Sequence, residues 1–516
     1  MKKYFLLFIL TIIGDGYLIA QNPASGVDTT GFARLKSETI KGSKAMDLVY
    51  TLSDIYGPKP SFSPALARTS VWLMDYLKEL GLHNIHQEGW LPRGRSWEVK
   101  AFSAETTAPY YKNLIAYPRQ WSPPTNGMIR AEAIQMIAYR EADLEQYKGK
   151  LNGKIVLVGP ETRVNLATRP FVTRMADSTL TRLDNIPLPT PEQHQASLRE
   201  QAVNDSMLMQ YLEFQSKVID FCAKEGAVIV ADAVGRNYGT CQVWPAISTE
   251  PAKEMFEWFS KSAFSGSGVT LPQITISVEE FNSMVRAMKK GEKVFLSVNL
   301  DVEFKNNIEE KNLIAEIPGT DLKNEVVIIG GHLDGFQVGT NAIDNNCGIA
   351  ACLEALRAIK KLGIQPRRTI RVAFWTGEEQ GCLGSRAYVA SHFTSGQKEK
   401  LQVYFNMDNG AGRFRGINAE ENPGAKKIFQ SWMQAINDPK FQTVSLQRVD
   451  HTDHWAFTLA GLPGFEFIQD PLDYSRSYHT NMDLPERIPP DDLKQDAFLL
   501  AAFAWLAANM EGSFQQ

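Results

Sequence analysis

Apolar residues recur at three- and four-residue intervals early in the chain, at Ala45, Leu48, Val49 and Leu52, then at Val71, Leu73, Met74, Tyr76, Leu77 and Leu80. That spacing predicts helices, broken at Gly57-Pro58 and punctuated by Gly81. The pattern changes near Tyr110. Residues 134–139, 154–158, 227–231, 273–278 and 293–301 read as strands, and 194–224 as a polar helix behind a Pro-containing loop. From Glu303 onward, short apolar runs at 326–329, 369–375, 403–407 and 464–468 alternate with helical patterns. Ile349, Cys352, Leu353, Leu356 and Ile359 mark one helical face, which Gly363 can cap and Pro366 follows. The alternation predicts an α/β fold with a mixed, mainly parallel sheet flanked by helices.

Two longer apolar stretches need a different reading. Lys2-Lys3, the apolar run 4–13 and the small residue Ala20 describe a secretory signal peptide cleaved after Ala20. Asp15 interrupts the run too early for a span, which needs ~20 apolar residues. The twelve-residue stretch 497–508 is better read as a buried terminal helix. The expectation is an exported protein, secreted or periplasmic, with no stable membrane anchor after cleavage.

Composition narrows the classes further. The 516 residues suggest two to four domains, and 54 basic against 58 acidic residues leave a net charge of −4. No nucleic-acid partner is expected from bulk charge of that sign. Five Cys make no disulfide framework, and the odd count leaves at least one thiol unpaired within the chain.

The chemistry gathers at the ends of the later strands. The first leads into His332-Leu333-Asp334, with Asp344-Asn345-Asn346 ten residues on. The second ends in Glu378-Glu379, the third in Asp408, and the fourth is followed by Tyr478-His479. In an open α/β sheet the crevice beyond the strands' carboxyl ends is where ligands bind, so these groups point into one place. A lone loop carboxylate is usually a solvated charge or a cap. Adjacent carboxylates in a dry site repel unless a cation lies near or one takes a proton. Two His with several carboxylates form a mixed N/O set suited to Zn²⁺ or another borderline divalent ion. Five or so ligands exceed one tetrahedral shell, which argues for two metals sharing a carboxylate, an arrangement of hydrolases. Cys347, Cys352 and Cys382 read as small buried hydrophobes.

The order His-x-Asp, Asp, Glu-Glu, Asp, His resembles the di-zinc aminopeptidase family, and within it the carboxypeptidase Q branch. The likeness is most specific over 325–390 and 403–410. It implies a zinc exopeptidase fold with two Zn²⁺ per chain and a peptide substrate. Asp344 would bridge the metals, His332 and Asp408 would complete one site, and Glu379 and His479 the other. Asp334 would accept the second ring N–H of His332, and Glu378 would be the general base. Tyr478 is placed like an oxyanion-steadying tyrosine, and Asp453 and His454 like residues of the substrate pocket or ones that support the ligands from behind. Asn345 departs from the family, which commonly has Asp there. The resemblance also implies a division of the chain: a signal peptide (1–20), an N-terminal helical segment (21–115), a β-rich protease-associated insert (116–302) and the catalytic domain (303–516).

Two rival functions remain at this stage. A receptor on an inactive peptidase scaffold would typically have lost metal ligands, whereas this chain keeps them all. A glutaminyl cyclase, a one-zinc transferase, fits the insert and the full ligand set poorly. Amino- versus carboxypeptidase action, a propeptide within 21–40 and a homodimer are left open by the sequence.

Overall fold

The computed structural model describes residues 29–234, 236–394 and 400–514. The expected signal peptide, residues 1–20, lies outside the described residues. Among the described residues no helix is long and apolar enough to cross a membrane.

The C-terminal half is built on a mixed sheet, parallel at its centre. Leu322–His332 lies between Arg368–Trp375 and Lys400–Asn406, and Lys400–Asn406 pairs in turn with Gly464–Gln469, all parallel. Phe414–Asn418 and Thr443–Ser445 extend the edge beyond Gly464–Gln469. Arg368–Trp375 is buried at every position. A strand covered on both faces has no solvent side to alternate with, and its two charges, Arg368 and Arg371, are paired with Glu325 and Glu316. The helices Cys347–Leu362 and Pro490–Asn509 pack into the same apolar core. Gly363, at φ 65°, caps the first in the left-handed conformation that glycine adopts without a Cβ penalty.

A second set of strands forms the other half. Ile129–Met136, Ile155–Val158, Ile229–Asp232 and Gln273–Ile276 run parallel in that order, with Ala116–Pro118 antiparallel at the edge. Behind them lies the helix Pro191–Lys224, longer by three residues at its start than the pattern predicts. Its Thr190 cap exchanges hydrogen bonds with Gln193, and Pro191 takes the first helical position.

The junction corrects the expected boundaries. Residues 21–115 are not helical throughout, because His83–Ala108 is a single 26-residue strand. It pairs antiparallel along Phe295–Ile317, so the expected boundary at 302/303 falls inside one strand. One end of Phe295–Ile317 continues into the C-terminal sheet through Arg368–Trp375, the other into the second sheet through Ile129–Met136. The alternation that would have revealed His83–Ala108 is broken by register shifts, among them those at Trp90/Gly94 and Val99/Ala101. A one-residue shift such as that at Val99/Ala101 moves the apolar set to the other face and breaks the period of two.

Candidate active site

Five of the predicted groups converge beyond the parallel strand ends. His332 closes its strand, and its Nε2 lies 3.0 Å from Asp344 Oδ1 and 3.3 Å from Asp408 Oδ1. His479 Nε2 lies 3.2 Å from Asp344 Oδ2 and 2.9 Å from Glu379 Oε2. Asp344 therefore turns one oxygen to each imidazole, and each imidazole has a second carboxylate beside it. The donor atoms of His332, Asp344 and Glu379 lie within 4.8 Å of one another, as do those of His332, Glu378 and Asp408.

These residues fit divalent cations. Both imidazoles would be ligands through Nε2, and Glu379 Oε1 is buried without a hydrogen-bond partner. Such a group is costly unless something outside the protein satisfies it. The fully buried Lys59 does not serve, because its ammonium is turned to Asn346 Oδ1 at 2.8 Å and Gly57 O at 3.2 Å. Burial, only partly offset by Asp483 and Asp334, draws Lys59 down to about 7.

The local electrostatics show the same crowding. Burial pushes Glu378 well above the ordinary carboxylate range; His332 pulls it back, while Asp408, Glu379 and Asp453 add to the rise. Glu379 is pushed up to about 7 by burial, against His479 and with Asp344. Burial disfavours the charged form of both imidazoles, yet Asp408 beside His332 and Glu379 beside His479 raise them well above the usual histidine value.

The groups behind the ligands are arranged differently from expectation. The Nδ1 of His332 meets the backbone carbonyl of Asp334 at 2.9 Å, while the Asp334 carboxylate is 3.9 Å away. That carboxylate accepts from the Ser61 hydroxyl at 2.8 Å and from the Glu378 backbone N–H at 3.3 Å. Asp334 thus fixes His332 through its main chain and the Glu378 backbone through its side chain. Asn345, where the resembling family has Asp, donates its amide to Asp408 Oδ1 at 2.5 Å and to Met407 O at 2.8 Å. A carboxylate there would repel Asp408, whereas the amide steadies it. Gly348 makes room for this contact, since a Cβ would stand 1.9 Å from Asn345 Oδ1.

Asp453 and His454 are not pocket residues. Both are fully buried, and the cavity is lined instead by Asp450, His451 and Thr452 just before them. His451 adopts φ 68°, after which the helix His454–Leu459 turns the next side chains inward. His454 meets Thr452 Oγ1 at 2.9 Å and Val449 O at 3.0 Å. It stands behind Glu466, which accepts from the Asp408 backbone N–H at 2.8 Å and the Asn406 amide at 2.6 Å. Tyr478 does line the cavity, and so does Tyr474 one turn earlier, whose relevance the sequence signals only by that four-residue spacing.

The cavity, of about 390 Å³, is also lined by aromatic side chains that sequence reasoning missed: Trp244, Phe256, Phe259 and Phe336. Three of the four lie within 116–302. The same stretch grips the last ligand loop: Val243 N–H donates to His479 O at 2.9 Å, and Cys241 N–H to Asn481 Oδ1 at 2.7 Å. A larger cleft of about 660 Å³ lies elsewhere, around Glu161 and Arg286, away from this donor set.

With the geometry in place, comparison with known proteins is direct. Residues 312–504 match the model of peptidase family M28. Over that stretch the chain is similar to peptidase family M28. Carboxypeptidase Q from Homo sapiens is 30% identical over 244 residues, covering 47% of this chain and 50% of the relative. The chain thus spans about half the length of the curated relatives it matches. A peptidase M28 precursor from Shewanella amazonensis superposes with a TM-score of 0.63 at 22% identity, over 95% of this chain and 98% of the other. A zinc aminopeptidase from Bacillus subtilis gives 0.56 at 16% identity, over 91% and 98%. At those identities the two structures show a shared fold. The M28 match contains all five predicted ligands and Glu378, while Trp244, Phe256 and Phe259 lie outside it.

Proposed function

We propose that this chain is an exported, zinc-dependent exopeptidase that hydrolyses dipeptides or short peptides at a two-metal site. The observation that carries the reading is Asp344, whose two oxygens face two imidazoles, each paired with a further carboxylate. His332 and Asp408 would hold one Zn²⁺, Glu379 and His479 the other, with Asp344 between them. Bound there, two ions supply Lewis-acid polarisation of the scissile carbonyl and an acidified water.

The chain's own residues do the rest. Glu378 takes the proton of the attacking water and hands it to the departing amine, its carboxylate lying in one donor group with His332 and Asp408. Asp334 keeps its backbone in place. Tyr478, with Tyr474 beside it at 5.3 Å between ring centroids, offers a hydroxyl toward the developing oxyanion. Export rests on the N-terminal sequence, and residues 116–302 are read as the inserted protease-associated module.

Glu378→Ala tests the assignment. The variant should keep its zinc, measured by elemental analysis, yet lose about 10²–10⁴-fold in peptide turnover. Near-parental hydrolysis would remove Glu378 from the mechanism. Chelator-treated parent protein should be inactive and recover with added zinc.

A further inference from the structure

The five candidate ligands are not held in the same way. His332, Glu379 and Asp408 stand at or close after the ends of Leu322–His332, Arg368–Trp375 and Lys400–Asn406. Asp344 lies in the segment that leads into the helix Cys347–Leu362. His479 has no such anchor. It lies in the loop after the short helix Tyr474–Ser477, in the left-handed region at φ 57°. Its ring is also less secured than that of His332, whose Nδ1 meets a backbone carbonyl. His479 Nδ1 is buried and has no hydrogen-bond partner among the described residues. Apart from packing against Phe336 and Trp244, it is the main chain of the loop that sets where Nε2 points.

That main chain is gripped from outside the 312–504 match. Residues 239–243 run alongside 479–481, with Gln242 and Thr480 paired as an antiparallel bridge. Val243 N–H donates to His479 O at 2.9 Å, and Asn481 N–H to Cys241 O at 3.3 Å. The Asn481 side chain completes the contact in both directions. Its Oδ1 accepts from Cys241 N–H at 2.7 Å, and its Nδ2 donates to Gly239 O at 3.1 Å. An amide suits this position, because it offers an acceptor to one backbone group and a donor to the other. Arg476, just before the loop, donates to Asn237 O at 3.3 Å. Past Asn481 the chain returns to the M28-like region, where Asp483 accepts from Ile343 N–H at 2.6 Å.

We propose that Asn481 is the positioning residue of the Glu379–His479 metal site, and that residues 239–243 are the brace on which its ligand loop is held. This rests on the two-metal reading above. The His332–Asp408 site is supported by Asp334, Asn345 and Glu466, all within the 312–504 match. The consequence is one-sided. Loosening the brace releases one ion and leaves the other, whereas a general structural fault weakens both together. Removing a group that orients a ligand from behind weakens metal affinity by about 10–100-fold.

The test uses the full-length protein, loaded with zinc and then equilibrated against graded chelator, with zinc per chain read by elemental analysis. The parent should hold two ions. Asn481→Ala should hold one where the parent still holds two, its weaker ion leaving at an about 10–100-fold lower chelator concentration. Asn481→Asp keeps the acceptor for Cys241 but loses the donor to Gly239, and should fall between. It carries the test alone if Asn481→Ala does not fold. His479→Ala should lose the same ion, so that adding Asn481→Ala to it removes no further zinc. Two ions held as firmly in the Asn481 variants as in the parent, or both weakened in parallel, overturn the brace and leave the two-metal peptidase intact. A double variant stripped of zinc assigns the loss to the other site and overturns the brace as well. A parent that binds fewer than two ions overturns the two-metal reading and the brace with it.

Discussion

The two halves of this molecule are built alike, with parallel strands at their centres, yet they treat acids near the strand ends in opposite ways. In the sheet of Ile129–Met136, Ile155–Val158, Ile229–Asp232 and Gln273–Ile276, Asp232 at a strand end is neutralised within the protein. Arg119 Nη1 lies 2.6 Å from one oxygen and the Thr275 hydroxyl donates to the other at 2.8 Å. In the M28 region, Asp344, Glu378, Glu379 and Asp408 crowd around two histidines, with no arginine among the ion pairs of that cluster. One half settles its charge during folding. The other leaves it for an ion to settle. A catalytic centre can thus be told from a structural strand end by which carboxylates lack an internal cation.

The contrast is broken most directly at Asp344. Asp344→Ala should lower turnover by at least about 10³-fold and reduce bound zinc, read by elemental analysis. Two zincs per chain with parental activity would show that Asp344 is not the shared ligand. The Asp232 sheet should respond in stability instead. Arg119→Met leaves Asp232 without its cation and should cost about 3 kcal/mol in chemical denaturation while zinc content stays at the parental level. A smaller effect belongs to Glu466, which holds the Asp408 backbone: Glu466→Ala should weaken zinc binding by about 10–100-fold in competition with a chelator.

A pH dependence sharpens the picture on the strand common to both halves. Burial pushes Glu310 up to about 8, with Phe62 and Lys311 backbone N–H groups pulling it back. The folded state therefore holds a proton that the unfolded chain releases above about 4.5. Stability from this group is full below that value and is lost as pH rises toward about 8. Glu310→Gln should flatten the decline in denaturation midpoints between pH 5 and 8; an unchanged slope would reject it. The smallest effect is on the thiols. All five cysteines are free and buried, so a maleimide should label none in the folded protein and five after unfolding.

How much of this was legible beforehand follows the same physics. The candidate ligands were legible because His332, Glu379 and Asp408 come shortly after short apolar runs, while Asp344 and His479 lie further along the loops that follow them. The roles of Asp334 and His454 were not. Whether a carbonyl or a carboxylate meets His332 depends on a rotamer, and whether His454 faces the cavity depends on the turn at His451. The cavity lining of Trp244, Phe256 and Phe259 was hidden because half-buried aromatic side chains look the same in sequence whether they face a core or a pocket. His83–Ala108 was hidden by its bulges.

The ribbon formed by His83–Ala108 and Phe295–Ile317 also bears on how such a protein can change over generations. Its strands belong to both sheets, so residues 116–302 are not a cassette that can be clipped out at a linker. Removing them would take away the Phe295 end of the shared strand and leave residues 99–108 of its partner strand unpaired and open to other chains. Alterations to the aromatic lining of the cavity must therefore arise by exchange of single side chains within an intact frame, and the two halves are inherited as one.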